Sequence, residues 1–193
     1  MGNLPKCLLT IDGVTLLERH LTALTAAGAA QIVVVTGHYH DRVAPVADAF
    51  PVTVVRNPDP DAGQPSSVRL GIQTLGAAFD VVIVALADQP LVGSAEFAEL
   101  TAAFAQRPAG TDVVVPEVQG ERGNPVAFSG ALIRTMLTEG RLALRKFTDE
   151  HPERVHRHVT ANEHFVMDLD TREDVDALAA RTGLRLALPA GAN

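Results

Sequence analysis

The sequence predicts an α/β fold in which helices cover a doubly wound, mostly parallel sheet. Apolar runs rich in β-branched residues alternate with stretches of helical periodicity along most of the 193 residues. Turns that contain Gly, Pro, Asn or Asp separate these runs. The run over residues 81–86 has six apolar residues in succession, which is typical of a strand buried on both faces of a parallel sheet.

The first part of the chain gives a helix, a strand and a second, shorter helix. Apolar residues recur at helical spacing from Val14 to Leu24, and Gly28 ends this predicted helix. The run 31–36 contains four successive apolar residues and predicts a buried strand. A short helix is predicted over 41–50. Its Pro45 is compatible with this prediction, since proline is tolerated in or near the first turn of a helix.

The middle of the chain gives a strand, a helix, the long apolar strand and a further helix. Residues 52–55 predict the first of these strands. The loop 59–65 is polar and rich in Gly and Pro, so a helix is expected to open at Ser66 or Ser67. After the long apolar run, residues 94–106 predict the next helix.

The second half of the chain continues the alternation. Its predicted elements are strands over 112–115, 126–128, 155–159 and 165–167, and helices over 131–137, 142–151 and 171–181. Thr171 is the expected N-cap of the last helix, with Asp174 in the place of the capping-box acid. The whole pattern gives one domain over 1–183 and a tail over 184–193 without predicted structure.

The composition is that of a soluble globular protein. Hydrophobic residues make up 47% and charged residues 20% of the chain. The formal net charge of -7 argues against a broad nucleic-acid surface. No apolar stretch has the length of a membrane span, and no leader sequence is recognised. The single cysteine, Cys7, suits a reducing compartment, so a cytoplasmic location is expected.

Asp88 is the first candidate site residue, because it follows the 81–86 strand at the edge where open α/β sheets bind ligands. Pro90 stiffens the loop that carries it, since proline fixes its own backbone and restricts the preceding residue. A rigidly held carboxylate at this edge suits a divalent metal on a substrate phosphate. The alternative is that Asp88 only caps the next helix or forms a turn.

Residues 63–69 are the second candidate, in which small residues lead into a helix. Gly63 begins this segment and Arg69 ends it. Backbone N–H groups exposed at a helix start attract anions. The hydroxyls of Ser66 and Ser67 can add donors to a phosphate or a base. An ordinary helix N-cap is the alternative interpretation.

Asp168 and Asp170 are the third candidate. If residues 165–169 are extended, the two carboxylates point to the same face, because side chains alternate along a strand. Two carboxylates on one face repel each other unless a cation lies between them, which makes them candidate second ligands for a metal at Asp88. The alternative is that Asp170 belongs to the start of the last helix with Thr171.

The fourth candidate is the segment formed by Arg122, Gly123, Asn124 and Pro125, between two predicted strands. Gly allows a close backbone approach, and Asn can recognise an amide or a hydroxyl on a substrate. As a bare pattern, the segment is more often a hairpin turn. These four candidates all follow or join predicted strands.

Taken together and in order, these motifs make the sequence similar to a known family. The series resembles the molybdenum cofactor cytidylyltransferases, within the wider molybdopterin nucleotidyltransferase-like group, over roughly residues 1–181. The motifs are Leu4-Pro5-Lys6, Thr36-Gly37-His38, Asn57-Pro58, Gly63 with Ser66-Ser67-Val68-Arg69, Ala87-Asp88-Gln89-Pro90, Arg122-Gly123-Asn124-Pro125 and Asp168-Leu169-Asp170-Thr171-Arg172-Glu173-Asp174. The resemblance implies a Rossmann-like, three-layer α/β/α nucleotidyltransferase fold.

The resemblance also implies a reaction. A nucleoside monophosphate, foremost CMP, would pass from CTP or GTP to the molybdenum cofactor, with release of pyrophosphate. Lys6 would hold the triphosphate and, with Asp88, form the catalytic pair. Asp88 together with Asp168 or Asp170 would bind Mg²⁺. The acceptor would be of the molybdopterin type, and a molybdenum hydroxylase is the implied partner enzyme.

The same resemblance implies roles for two further segments, and the sequence differs from the family's pattern in two places. Residues 63–69 would contact the base and ribose, and residues 122–125 would face the acceptor. Members of the family open with a buried strand and a phosphate-binding loop, and Met1-Gly2 matches the last two letters of that loop. The sequence as given is therefore expected to lack the first strand and the phosphate loop. Asn124 stands where many relatives have His, which leaves the identity of the acceptor open.

Three functions are consistent with the sequence. The first is a Mg²⁺-dependent nucleotidyltransferase acting on the molybdenum cofactor. The second is a catalytically incomplete protein that binds the cofactor or serves as a chaperone for a molybdoenzyme. The third is a nucleotidyltransferase for a sugar phosphate or polyol phosphate. Release of pyrophosphate in the presence of defined acceptors separates the three.

Overall fold

The computed structural model of the protein describes residues 4–189 and confirms the predicted α/β class. The strands are β1 (Thr10–Ile11), β2 (Val14–Thr15), β3 (Val33–Thr36), β4 (Thr53–Arg56), β5 (Val81–Val84), β6 (Val113–Val118), β7 (Glu121–Arg122), β8 (Val126–Ser129), β9 (Val155–Val159) and β10 (Leu186–Ala187). The helices are α1 (Leu16–Ala26), α2 (His40–Ala47), α3 (Gln64–Leu75), α4 (Ser94–Ala105), α5 (Gly130–Thr138), α6 (Leu144–Glu150) and α7 (Arg172–Thr182). Among the described helices, none is long and apolar enough to cross a membrane.

The longer strands lie in two separate sheets. The first sheet pairs β3 with β4 in parallel. The second sheet has the order β5-β8-β6-β7, with β9 parallel to β6. Because β8 is antiparallel to both β5 and β6, these two strands run in one direction and β9 runs with them. A small third sheet, β10-β1-β2, closes one end of the fold.

The core is densest around β6 and β8. Val113 and Val114 are fully buried, and every residue of β8 is buried. By contrast, the side chains of Val33–Val35 in β3 and of Ile83 and Val84 in β5 keep part of their surface exposed. The expectation that the 81–86 strand is covered on both faces is confirmed, since Val82 and Val84 pack in one cluster with Ile72, and Val81 and Ile83 pack in another with Leu100. Among the residues of β5, only Val82 is buried. The reason is a cavity that separates β3 from β5.

Two other predictions need correction. The expected strand over 165–167 is not formed, because Glu163–Val166 make a 3-10 turn whose Phe165 side chain is fully buried. Part of the expected C-terminal tail belongs to the fold, since β10 pairs with β1 and Leu184, Leu186 and Leu188 pack against an apolar cluster. The capping box of α7 is confirmed: Thr171 accepts from the Asp174 N–H, and the Asp174 side chain accepts from the Thr171 N–H.

Candidate active site

Four charged side chains meet where β5 ends. Asp88 follows β5 in the short loop that precedes α4, and Lys6 lies in the 3-10 turn Lys6–Leu8. Lys6 and Asp88 both line the cavity between β3 and β5. The ammonium of Lys6 donates to Asp170 Oδ1 at 2.5 Å, which brings the start of α7 to this point.

Asp168 shows that the carboxylates of two distant segments share one electrostatic environment. The pKa of Asp168 is raised, first by partial desolvation of its carboxyl by neighbouring atoms and then by the negative charges of Asp170 and Asp88, against the opposing charge of Lys6. The structure therefore brings Asp88, Asp168 and Asp170 together, as expected from their places at the ends of neighbouring elements. Their roles in catalysis and metal binding stay predictions.

The alternation expected around Asp168 is present. Leu169 is almost fully buried in a cluster with Leu9, Ile11 and Leu16, whereas the flanking Asp168 and Asp170 are exposed. A buried leucine between two exposed carboxylates fixes both of them on the solvent side of the segment. Asp170 also lies directly before the N-cap of α7, so it belongs to the start of that helix, and its role as a metal ligand stays a prediction.

Asp88 and Asp168 could hold a hard divalent cation whose remaining ligands come from the phosphates of a nucleotide. Among residues 4–189, no group of three or more His, Cys, Asp or Glu side chains is arranged to hold a metal ion. Mg²⁺ is usually bound through one or two carboxylates together with substrate phosphates, rather than in a cage of protein ligands. A cation placed between Asp88 and Asp168 would also relieve the repulsion that raises the pKa of Asp168.

The start of α3 forms the neighbouring wall of the site. The helix begins at Gln64 rather than at Ser66 or Ser67, because Gly63 acts as its N-cap with φ 81° and ψ -179°. This backbone conformation is essentially confined to glycine. Gln64 and Ser67 line the cavity with Lys6 and Asp88, whereas the side chain of Arg69 is exposed.

Asn57 positions this helix start and was missed as a site residue in the sequence. Its buried side-chain amide donates to Ser66 Oγ at 2.7 Å and to Ser67 Oγ at 3.0 Å. The Oδ1 atom of the same side chain accepts from the Asp59 N–H at 3.0 Å. The signal that could have found it is the polar Asn-Pro pair that directly follows an apolar strand.

We expect Asn57→Ala to loosen the start of α3. The variant removes both serine contacts and the contact to Asp59 from a buried position, so it should lower the free energy of unfolding by about 1–3 kcal/mol. Urea denaturation measures this loss. Thr74→Ala is the matched control, because it removes a hydroxyl from the same helix whose bond to Leu70 is local. Equal, small losses in both variants would contradict the role assigned to Asn57.

The segment 122–125 contacts the chain just before Asp168. The Asn124 N–H donates to the carbonyl of Phe165 at 2.8 Å, and the buried Gln89 donates to the same carbonyl at 3.0 Å. A Cβ atom added at Gly123 would lie 2.8 Å from that oxygen, so only glycine allows this approach. Phe165 thereby ties together the Asp88 loop, the Asn124 segment and the segment of Asp168.

The hairpin-turn interpretation of 122–125 is wrong. The turn of the hairpin lies at Gln119 and Gly120, and 122–125 runs from β7 into β8 with a cis peptide bond before Pro125. Arg122 donates to Asp149 of α6 at 3.0 Å. The described part of 122–125 does not line the cavity between β3 and β5. An acceptor role for this segment therefore stays a prediction.

A network of carboxylates and histidines fixes the segment between β9 and Asp168 on α4. His164 contacts the buried Glu96 at 2.7 Å and His158 contacts Glu99 at 2.9 Å, while the Asn162 amide donates to both carboxylates at 3.2 Å. Burial by itself raises the pKa of Glu96, but the hydrogen bonds from Asn162 and His164 outweigh it, so its pKa is lowered. The pKa of Glu99 is lowered for the same kind of reason.

The lowered carboxyl pKa values predict acid lability. A carboxyl group whose pKa in the folded state is below the ordinary value of 4.5 stabilises the fold when it is ionised. This contribution is complete above pH 4.5 and is lost as the pH falls through the folded-state pKa. We expect the free energy of unfolding to decline below about pH 4.5, and Glu96→Gln to make this decline shallower. Chemical denaturation at a series of pH values measures the dependence of the free energy of unfolding on pH. The exposed Glu121→Gln is the control, and identical slopes for the two variants would contradict the prediction.

Comparisons with known proteins decide the family. Residues 1–155 match the MobA-like NTP transferase domain. The chain belongs to this family. A nucleotidyl transferase from Methanothermobacter thermautotroptrophicus is 26% identical, with a TM-score of 0.71 over 91% of this chain and 84% of that one. A 4-diphosphocytidyl-2C-methyl-D-erythritol synthase from Anaerococcus prevotii has a TM-score of 0.73 at 14% identity, over 92% and 93%.

The chain is also similar to two mycobacterial proteins. A Mycobacterium tuberculosis protein, Rv0371C, solved as a complex with manganese, shares the fold with a TM-score of 0.68 at 22% identity, over 92% of each chain. The bifunctional protein GlmU of Mycobacterium marinum is 30% identical over 105 residues, which is 51% of this chain and 21% of GlmU. The chain thus spans about a fifth of the length of the curated relatives that it matches first.

Proposed function

We propose that this member of the MobA-like NTP transferase domain family is a Mg²⁺-dependent nucleotidyltransferase. It moves a nucleoside monophosphate, foremost CMP, from a nucleoside triphosphate to the phosphate of the molybdenum cofactor. The observation that carries the proposal is the convergence of Asp88 and Asp168, whose charges interact beside Lys6 at the end of β5. Family membership supports the reaction type.

The reaction requires alignment and charge neutralisation rather than covalent work by side chains. An oxygen of the acceptor phosphate attacks the α-phosphorus of the triphosphate, and a new P–O bond forms to that phosphorus. The bond from the α-phosphorus to the oxygen that bridges to the β-phosphate breaks, and pyrophosphate leaves with that electron pair. No general base is needed, because the acceptor phosphate is already ionised near neutral pH.

The residues divide these tasks by position. Lys6 holds the phosphates of the leaving pyrophosphate, and its contact with Asp170 keeps its ammonium at the site before the nucleotide arrives. The N–H groups at the start of α3, with Ser66 and Ser67, receive the nucleotide. Asp88 and Asp168 would hold Mg²⁺, which when bound neutralises charge that develops on the phosphates.

We assign the binding of the acceptor to the segment 122–125. Arg122 and Asn124 belong to the segment that contacts the chain before Asp168, so an acceptor bound there would lie within reach of the nucleotide. A molybdopterin-type acceptor, a cytoplasmic location and a molybdenum hydroxylase as partner enzyme complete the proposal. A polyol-phosphate acceptor is the second candidate, favoured by the fold shared with the 4-diphosphocytidyl-2C-methyl-D-erythritol synthase.

Pyrophosphate release tests the proposal. The protein is incubated with Mg²⁺, with CTP or GTP, and with molybdenum cofactor, 2C-methyl-D-erythritol 4-phosphate or no acceptor. We expect release with CTP and the molybdenum cofactor, and none after chelation of the metal. Release only with the polyol phosphate would replace the first candidate by the second. Nucleotide or cofactor binding without release under any condition would favour the non-catalytic, chaperone-like function.

A further inference from the structure

Three arginine side chains from three different elements meet on one face of the second sheet. Arg122 of β7 and Arg145 of α6 donate to the two oxygens of the same carboxylate, Asp149, at 3.0 and 3.2 Å. Arg157 of β9 donates to Glu117 Oε2 at 2.6 Å. Glu117 lies directly opposite Arg122 in the pair of β6 and β7, so the two sets of ion pairs are neighbours.

This arginine cluster carries more positive than negative charge. Its three guanidiniums share two carboxylates, and the other two charged side chains of α6 pair with each other. The pKa of Arg122 is lowered, first by desolvation and then by the charge of Arg145, and the charge of Arg157 adds to this effect. The whole chain has a formal net charge of -7, so the positive excess is local. An anion bound between the guanidiniums would relieve their repulsion.

Each guanidinium keeps donors that a ligand can use. Among residues 4–189, each of the three makes one hydrogen bond, to the carboxylate named above. A guanidinium has further N–H groups in a planar fork, and this fork matches the oxygens of a phosphate. The side chains of Arg145 and Arg157 are 74% and 68% exposed, whereas that of Arg122 is 28% exposed. The cluster therefore has a desolvated base and an open rim.

The cluster lies beyond the same edge of the second sheet as Asp88. Val84 of β5 is opposite Val126 of β8 in their antiparallel pair. Asp88 follows Val84 by four residues, and Arg122 precedes Val126 by four residues. Both side chains therefore belong to segments that extend past the carboxyl end of β5.

A shared carbonyl group joins these two segments. The N–H of Asn124 and the side chain of Gln89 both donate to the carbonyl of Phe165. Gln89 directly follows Asp88, and Asn124 lies two residues after Arg122. The loop of the candidate metal ligand and the segment of the arginine cluster are thus held together by hydrogen bonds.

The cluster also lies on the face of the sheet that α3 covers. Val115 of β6 and Val155 of β9 pack in one cluster with Ile72 of α3. Because side chains alternate along a strand, Glu117 and Arg157 lie on this same face. The helix whose start we assign to the nucleotide and the arginine cluster therefore share one face of the sheet.

We propose that Arg122, Arg145 and Arg157 bind the phosphate of the acceptor, and that a phosphate monoester is the chemical class they recognise. The proposal rests on the nucleotidyl transfer proposed above and adds residues of α6 and β9 to the acceptor site. Asp149 holds two of the guanidiniums in place before the acceptor arrives and competes with its phosphate. The acceptor then approaches from the edge of the sheet that carries Asp88.

Phosphate binding to the cluster is measurable without turnover, by NMR of the arginine Nε–H groups in the 193-residue chain. We expect inorganic phosphate to shift the signals of Arg122, Arg145 and Arg157 until they saturate. Arg145→Gln and Arg157→Gln should each weaken this binding by at least about 10-fold. Arg185→Gln is the matched control, because Arg185 is an exposed arginine that pairs with Asp12 beside the small third sheet. Equal phosphate affinity in these variants and the wild-type protein would overturn the proposal.

Asp149→Asn gives a result that ion pairs of purely structural role would not give. The substitution frees Arg122 and Arg145 for the ligand, so inorganic phosphate should bind at least about 2-fold more tightly. Asp12→Asn removes the carboxylate partner of Arg185 in the same way and should leave phosphate binding unchanged. Urea denaturation reports that both variants are folded. Unchanged or weaker phosphate binding in Asp149→Asn would contradict the proposal.

Steady-state kinetics of pyrophosphate release distinguishes this site from the reaction itself. With CTP, Mg²⁺ and the molybdenum cofactor, Arg145→Gln should raise the KM for the acceptor by at least about 10-fold and leave the KM for CTP unchanged. A raised KM for CTP alone would overturn the proposal, because the arginines would then hold the nucleotide. Pyrophosphate release in a wild-type protein whose arginine signals ignore phosphate would refute the site and leave the reaction standing. Saturable shifts without any release would support the phosphate site and refute the reaction.

Discussion

Asp88→Asn is expected to lower kcat/KM for nucleotidyl transfer by at least about 100-fold, under conditions in which the wild-type protein turns over. The substitution keeps the size of the side chain and removes the charge that a cation on the nucleotide phosphates requires. The loss should appear in pyrophosphate release. The free energy of unfolding should change little, because the half-buried Asp88 lines the cavity and does not lie in the packed core.

The same variant has a readout that does not depend on turnover. Because the charge of Asp88 contributes to the raised pKa of Asp168, the pKa of Asp168 should fall in Asp88→Asn when its carboxyl is titrated by NMR. Asp80→Asn is the matched control, since Asp80 precedes the opposite end of the same strand. An unchanged rate in Asp88→Asn, or an equal loss in Asp80→Asn, would remove Asp88 from the site.

Gly123→Ala is expected to lower the free energy of unfolding by about 1–3 kcal/mol. The new Cβ atom would lie 2.8 Å from the Phe165 carbonyl oxygen and 2.9 Å from the Phe165 Cβ. Neither atom is the end of a flexible side chain, so the backbone of one segment must move. The bonds from Asn124 and Gln89 to the same carbonyl would be strained with it. Urea denaturation measures the loss.

Gly93→Ala separates the steric effect from a general cost of replacing glycine. A Cβ atom at Gly93 meets its nearest neighbour, Glu96 Oε2, at 3.7 Å, which is ordinary contact. We therefore expect this control to be close to neutral. If both variants lose the same free energy of unfolding, the close approach of Gly123 to Phe165 is not the cause.

Local patterns were sufficient to predict most elements. The apolar runs around Val34 and Val82 give strands because β-branched residues in short runs strongly favour extended structure. Asp88 follows a predicted strand, and its charge acts on Asp168, although Asp168 follows a 3-10 turn and not the strand expected there. The N-cap at Thr171 has a local signature, and the structure confirms it.

Contacts between distant segments could not be predicted in this way. The bond from Gln89 to the Phe165 carbonyl joins residues 76 apart, and no local pattern indicates it. Phe165 belongs to an apolar stretch that resembles a strand, but its burial in a 3-10 turn depends on those distant partners. The hairpin of β1 and β2 has strands of two residues each, which is too short for periodicity to detect.

The central claim is that Asp88 and Asp168 hold one divalent cation beside the phosphates of a nucleotide. Titration of Mn²⁺ in the presence of CTP, followed by electron paramagnetic resonance, tests it most directly. We expect one bound Mn²⁺ in the wild-type protein and at least about 10-fold weaker binding in Asp88→Asn and in Asp168→Asn, with Asp80→Asn unchanged. Equal Mn²⁺ affinity in all four proteins would contradict the claim.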